Sequence, residues 1–505
     1  SAASIRGTAF DAATVDLTGA SDIQGIDVRV NSDAKLSSAK VLDSDVIVND
    51  AYGTITVKAT EIDGGSLRAD EVSFDEFVAG SDTQIGAASA VRILGAEEIT
   101  VANGGLVNIV SENDRDTMFT VTASDDVFLT QGNGDMKVDI MADGQTVTLT
   151  AAADIGPIAS GRVVVTAKDL IITTAQNVDL QTTIEQVKAD VAYDFKLVET
   201  NDLKIDLVSA GRKAYIQTYN GGSILDSAND TILDIVTPQL TLLASGSIGT
   251  ATNALDISTQ KLTASATSGL INLLNVSNQD VTVDGLTAGT SVTLKTQGSG
   301  AHIFDGSVSA YNGDVIIDSA AGDVAFTALS TVLASNNASI TAYGDISTEG
   351  MVMLEATAGD LSLESKHGSV DLSRGTMAKA GRDLTVAALE NDVTLVGGNY
   401  EAGRNIGIGA GGNVYSKAVL WAEENVIITA YEEVDLNGPV TANTGEVVVF
   451  AETGDLTVNA PIKAETKISL ETMDDVIRIN DALTAAAVTL TSEKGDILSS
   501  DTGVV

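Results

Sequence analysis

The chain has 505 residues, no cysteine, and 70 acidic against 28 basic side chains, a formal net charge of −42. Disulfides and a cysteine-based zinc centre are therefore excluded as sources of stability, and nucleic acid and anionic lipid are excluded as partners because their phosphates would be repelled. Apolar residues make up 44% of the chain and aromatics only 4%, so the core has to be assembled from Val, Ile, Leu and Ala, and 47 Gly with four Pro favour strands and tight turns over long helices.

The chain opens on Ser1-Ala2-Ala3-Ser4, without the charged and then apolar stretches of a signal peptide, and no apolar run reaches the ~20 residues of a membrane-spanning helix. It reads as a mature form or as a piece of something longer, with no membrane-spanning segment. Residues 1–290 give a loose rhythm of strand-like pieces: Val107-Asn108-Ile109, Val127-Phe128-Leu129, Val147-Thr148-Leu149 and Val163-Val164-Val165. Within them, 185–219 is atypical, gathering Lys188, Lys196, Lys204, Arg212 and Lys213 with Tyr193, Phe195, Tyr215 and Tyr219. Two readings stand there: an insertion or lateral contact surface, and an ordinary turn with charged outward residues.

Residues 291–505 are regular. Strands open after Asp383, Asn405, Asn425, Glu446, Lys467 and Ala487, at spacings of 22, 20, 21, 21 and 20. A second series, Asp392, Asn413, Glu433, Asp455, Asp475 and Asp496, precedes Val393, Val414, Val434, Leu456, Val476 and Ile497 at spacings of 21, 20, 22, 20 and 21. A third, Val419, Val440, Ile462 and Leu483, keeps the same period, with Pro439 and Pro461 just before two of its members. Three short alternating strands per ~21 residues cannot bury their apolar side within one turn, and stacking turns about 4.8 Å apart pairs every backbone group and joins the inner residues into columns. The fold class expected is all-β, a parallel β-helix or solenoid of about 24 turns and about 115 Å. The end, Gly495-Asp496-Ile497-Leu498, stops inside the pattern, and an unfinished turn at Gly503-Val504-Val505 would offer open strand edges for end-to-end self-association.

The turns Gly313-Asp314, Gly322-Asp323, Gly344-Asp345, Gly359-Asp360, Gly454-Asp455 and Gly495-Asp496 read as corners, where Gly tolerates positive φ and Asp accepts a backbone N–H. Stacking Glu433, Asp455, Asp475 and Asp496 in register brings like charges about 5 Å apart. Two remedies are open: outward splaying with backbone hydrogen bonds, or a row of Ca²⁺ ions on these four residues with Asp474 and Glu432 as extra ligands.

The run Ala380-Gly381-Arg382-Asp383-Leu384-Thr385-Val386 through Gly403-Arg404-Asn405-Ile406-Gly407-Ile408, and Gly246-Ser247-Ile248-Gly249-Thr250 leading into Leu255-Asp256-Ile257, resemble the repeats of filamentous-haemagglutinin-like adhesins and similar bacterial surface repeat proteins. The Asn-Pro-Asn-Gly or Asn-Pro-Asn-Leu motif of that family's secretion domain is missing from the sequence. The resemblance implies an extracellular, non-enzymatic fibre or adhesin on a bacterial surface that self-associates end to end or laterally and meets glycans of a host or neighbouring cell.

The alternative is a polysaccharide-active or polysaccharide-binding β-helix, which would need carboxylates with Arg or Lys on one outer face and an aromatic groove. The nearest local cluster is Asp114-Arg115-Asp116, and Trp421 is the single tryptophan. His302 and His367 are too far apart in sequence to suggest a dyad. Gly132-Asn133-Gly134-Asp135, Lys494-Gly495-Asp496 and the acceptor triplets at Asn229, Asn275 and Asn337 are explained by turn chemistry and chance. No catalytic residue and no required cofactor is expected.

Overall fold

The computed structural model describes residues 4–500 except 8, 51, 77, 78, 80 and 229. Its described residues form 58 strands and no helix, joined by parallel pairings into a β-solenoid of about 23 turns roughly 21 residues apart. The expected fold class is the observed one. The end on which the open-edge expectation rested, Gly503-Val504-Val505, lies outside the described residues.

The chain forms two compact units, Ser1–Gln239 and Leu240–Val505.

In the unit spanning Ser1–Gln239, Val107, Val127 and Val147 stack in register, as do Ile109, Leu129 and Leu149. The rhythm loosens for two reasons. Long strands such as Glu98–Ser111 and Met136–Ala151 run round a corner through a register shift, and Gly144, at φ +74°, supplies one such bend. Further on, the turns shorten: Asp169 pairs with Gln186, Gln186 with Lys204 and Asp194 with Lys213, steps of 17 to 19 residues. The segment 185–219 is made of these shorter turns, with strands Gln186–Val191, Asp194–Glu199, Leu203–Ala210 and Lys213–Thr218 in the common ladder. Four of its five cations are spent on neighbouring turns: Lys188 meets Asp206 at 2.9 Å, Lys196 meets Asp179 at 3.0 Å, and Arg212 and Lys213 share Asp194 at 2.5 and 3.3 Å. Farther back, the strand expected at Val163-Val164-Val165 begins only at Val165.

In the unit spanning Leu240–Val505 the turns from Val315 on carry three strands each, while between Leu255 and Ala310 long strands such as Val281–Ala288 and His302–Ala310 run through a corner and leave two per turn. The column Leu384, Ile406, Val426, Val447, Ile468 and Val488 is in register as the spacing requires. The other two columns need one correction each. Leu456 pairs with Ile477 and not with Val476, and the third column runs Leu420, Val440, Ile462, Leu483, leaving Val419 on the outer face. In both places two adjacent apolar residues compete for one inward position. Packing selects Ile477 and Leu420, which are fully buried, over the half-buried Val476 and the exposed Val419. A one-residue slip turns a strand inside out, and each large aliphatic side chain it exposes forfeits about 1.5–3 kcal/mol.

Candidate functional site

The most repeated chemistry lies at the corners. Asp314, Asn337, Asp360, Asp383, Asn405 and Asn425 occupy one corner in successive turns, and the Oδ1 of each accepts the backbone N–H of the corner residue one turn on, at 3.0 to 3.3 Å, ending at Glu446. A second such series, Asp116, Asp135, Asp154, Asn177 and Asp194, stands in the first unit. The corner N–H has no strand partner, and a short side chain reaching up one turn satisfies it. Arginines reinforce the arrangement: Arg382 forks onto Asp360 and Arg404 pairs with Asp383. Asp360 is held below the usual carboxylate range chiefly by Arg382.

The four residues expected as calcium ligands sit on a parallel corner, but not all in register. Glu433 and Asp455 stack, Val476 takes the next position, and Asp475 lies one residue outside the column, with Asp496 following Val476. The same slip that moves Ile477 inward displaces Asp475. The Oδ1 of Asp455 accepts the N–H of Val476 at 3.0 Å and its Oδ2 accepts from Arg478 at 3.1 Å. Burial alone would raise the Asp455 carboxyl, and these two donors, with a hydrogen bond to Asp475, outweigh it and hold it low. Glu433 is pushed up by burial and by the carboxylates of Asp435 and Asp455. Asp474 pairs with Lys494, and Glu432 accepts from Asn413 at 3.0 Å. Among the described residues no three His, Asp or Glu side chains gather as a metal ion would require.

Of Asp114-Arg115-Asp116, the first two border an open groove of about 610 Å³ that also involves Asp50, Arg68, Asp70 and Glu112. The three neighbours in sequence diverge in space. Arg115 turns back to Glu97 at 2.6 Å, Asp114 accepts from Asn133 at 3.1 Å and Asp116 caps Asp135. Arg92 binds Glu112 in a fork, holding that carboxyl low. Gly134, at φ +71°, is a corner residue. His302 is wholly buried with neither ring nitrogen hydrogen-bonded, while His367 is on the surface against Glu390 at 2.9 Å and Tyr343. Asn275 is wholly buried and the Asn337 amide is bonded to Asp314 in the corner series, and Asn229 lies outside the described residues.

One surface was not anticipated. The corner loop ahead of the third strand has four residues at 327–330, 349–352 and 373–376, three at 396–398 and two at 417–418. This makes a step on the outer face, with a groove of about 560 Å³ between Arg374 and Lys417. Gly398 permits the step: its φ is +94° and an added Cβ would lie 2.0 Å from the Thr376 carbonyl oxygen. Exposed apolar side chains gather along it, including Leu329 and Met351 at the loop tips and Met377, Val419 and Trp421 on the strands. The sequence signal was faint because outward positions obey no period other than alternation. The chain matches no family model, no curated protein and no solved structure.

Proposed function

We propose that this chain is a non-enzymatic structural element of a bacterial cell-surface fibre or adhesin, held outside the cell and self-associating. The supporting observation is the use made of polar side chains. Polar side chains are spent joining each turn to the next, as in the series from Asp314 to Asn425, where every Asp and Asn serves the turn after it. Such a chain converts sequence length into extent, which is what a stalk requires. The experiment is immunogold labelling of intact native cells before and after surface proteolysis. Surface label lost on proteolysis is expected, and label confined to the cell interior overturns the reading.

A polysaccharide-active β-helix is the second reading, favoured by the groove that brings Asp50, Asp70 and Asp114 near Arg68. Release of reducing ends from an acidic or neutral polysaccharide, abolished by Asp70→Asn, would establish it in place of the first.

A further inference from the structure

We propose that the stepped outer face of the second unit is an interface with a second copy of this chain, packed antiparallel about a two-fold axis. The inference rests on the self-association in the function proposed above and specifies its contact.

The face is formed by strands Met353–Ala356, Met377–Ala380, Asn399–Ala402 and Val419–Ala422, stacked in register. Each presents two side chains outward. The first row is Met353, Met377, Asn399, Val419, and the second is Glu355, Lys379, Glu401, Trp421. Lys379 and Glu401 are exposed, and neither is ion-paired among the described residues.

A two-fold axis parallel to the strands, midway between Met377–Ala380 and Asn399–Ala402, reverses the order of turns and keeps the order along each strand. Lys379 then faces Glu401 of the second copy, and Glu401 faces its Lys379. Met353 meets Val419 and Glu355 meets Trp421, each twice. An isologous contact demands such self-complementarity. A two-fold along the solenoid axis instead sets Lys379 against Met377 and wastes both charges.

The loops obey the same symmetry. Reversing the turns sets the four-residue loop 349–352 of one copy over the two-residue loop 417–418 of the other, so the high side of each step fits the low side of its partner. Met351, 64% exposed at the tip of its loop, is thereby covered. Leu329, 72% exposed, is held at φ +73° with its N–H donating to the Met351 carbonyl at 2.7 Å. Exposed Met and Trp are the side chains that interface centres favour. Because each copy carries −42, association strengthens as salt rises from low to physiological levels and screens the long-range repulsion.

The test is sedimentation velocity of the full chain over a concentration series in dilute and in physiological salt, with the fluorescence of Trp421, the single tryptophan, as a second readout. Circular dichroism controls for folding. A reversible dimer is expected, with Trp421 emission shifting to the blue as it forms. Lys379→Glu alone and Glu401→Lys alone place like charges across the axis and raise the dissociation constant at least tenfold. An equimolar mixture of the two variants restores a mixed dimer, because both crossings are again opposite in sign, and no effect within one chain can do that. A wild-type chain that is monomeric at every concentration, variants that dimerise like the wild type, a mixture that stays monomeric, or a glycan or acidic peptide that shifts Trp421 emission of a monomer would each overturn the interface. Surface labelling of cells separates the two proposals: a surface-located chain that is monomeric loses this interface and with it the self-association, and keeps the reading as a surface structural element.

Discussion

The Oδ1 of Asp392 accepts the backbone N–H of Asn413, 21 residues later and one turn on, at 2.7 Å, and accepts the Asn413 amide at 3.0 Å. Asn413 passes the bond forward, its own Oδ1 accepting the N–H of Glu433 at 3.0 Å. Turn-to-turn order at this corner is carried by one short side chain per turn.

Asp392→Ala should therefore orphan the Asn413 N–H and cost about 1–2 kcal/mol, the usual loss when a side-chain cap is deleted. Asp392→Asn keeps an acceptor in place and should cost far less. Because a solenoid can open locally, the measurement is amide hydrogen exchange at Asn413, faster in the Ala variant and close to wild type in the Asn variant.

His302 sits in the inner column between Val281 and Val324, edge-on to Phe304 at 6.0 Å, and burial lowers it from 6.5 to about 4. The folded chain resists its protonation while the unfolded chain does not. Its cost is absent above pH 6.5, grows as pH falls from 6.5 toward 4, and reaches about 3 kcal/mol at the lower end. His302→Val matches the neighbouring side chains of the column and should flatten the pH dependence of denaturant stability in that window. A slope unchanged by the substitution would mean that other groups dominate it.

Tyr400 is buried between Ala378 and Leu420 with its hydroxyl unpartnered, and burial pushes its ionisation well above the ordinary range. Tyr400→Phe removes an unsatisfied polar atom and should be neutral or stabilising by up to about 1–2 kcal/mol, whereas Tyr400→Ala leaves a cavity and should cost about 3–5 kcal/mol. Urea midpoints of the three chains give the ranking.

At the corner of Glu433, Asp455 and Asp496, both oxygens of Asp455 are engaged and Val476 interrupts the carboxylates. Thermal unfolding at fixed ionic strength, with calcium or with excess chelator, should give the same midpoint, and Asp455→Asn should not alter the comparison. A calcium-dependent rise that Asp455→Asn abolishes would establish the cation row instead.

The sequence by itself determined the architecture. Apolar and polar residues alternating in short runs, repeated every 21 residues, have no other way to bury their inner side than to stack, so the columns through Leu384, Ile406 and Val426 and through Val107, Val127 and Val147 could be read off directly. It also marked Asp314 and Asp360 as corner residues, from the glycine before each and their place ahead of strands. Only the tertiary structure decided the rest. Whether Val476 or Ile477 points inward is settled by which side chain the columns above and below can pack, since the sequence offers two adjacent apolar residues and period-two alternation cannot choose between them. The acceptor of a corner N–H lies about 20 residues away along the chain and one strand spacing away in space, so local turn rules assigned Asp314 to its own turn when its partner, the Asn337 N–H, is in the next. Lys379, Glu401 and Trp421 became a surface through stacking alone, because outward side chains are chosen by no core, and their juxtaposition exists only once the turns are in register.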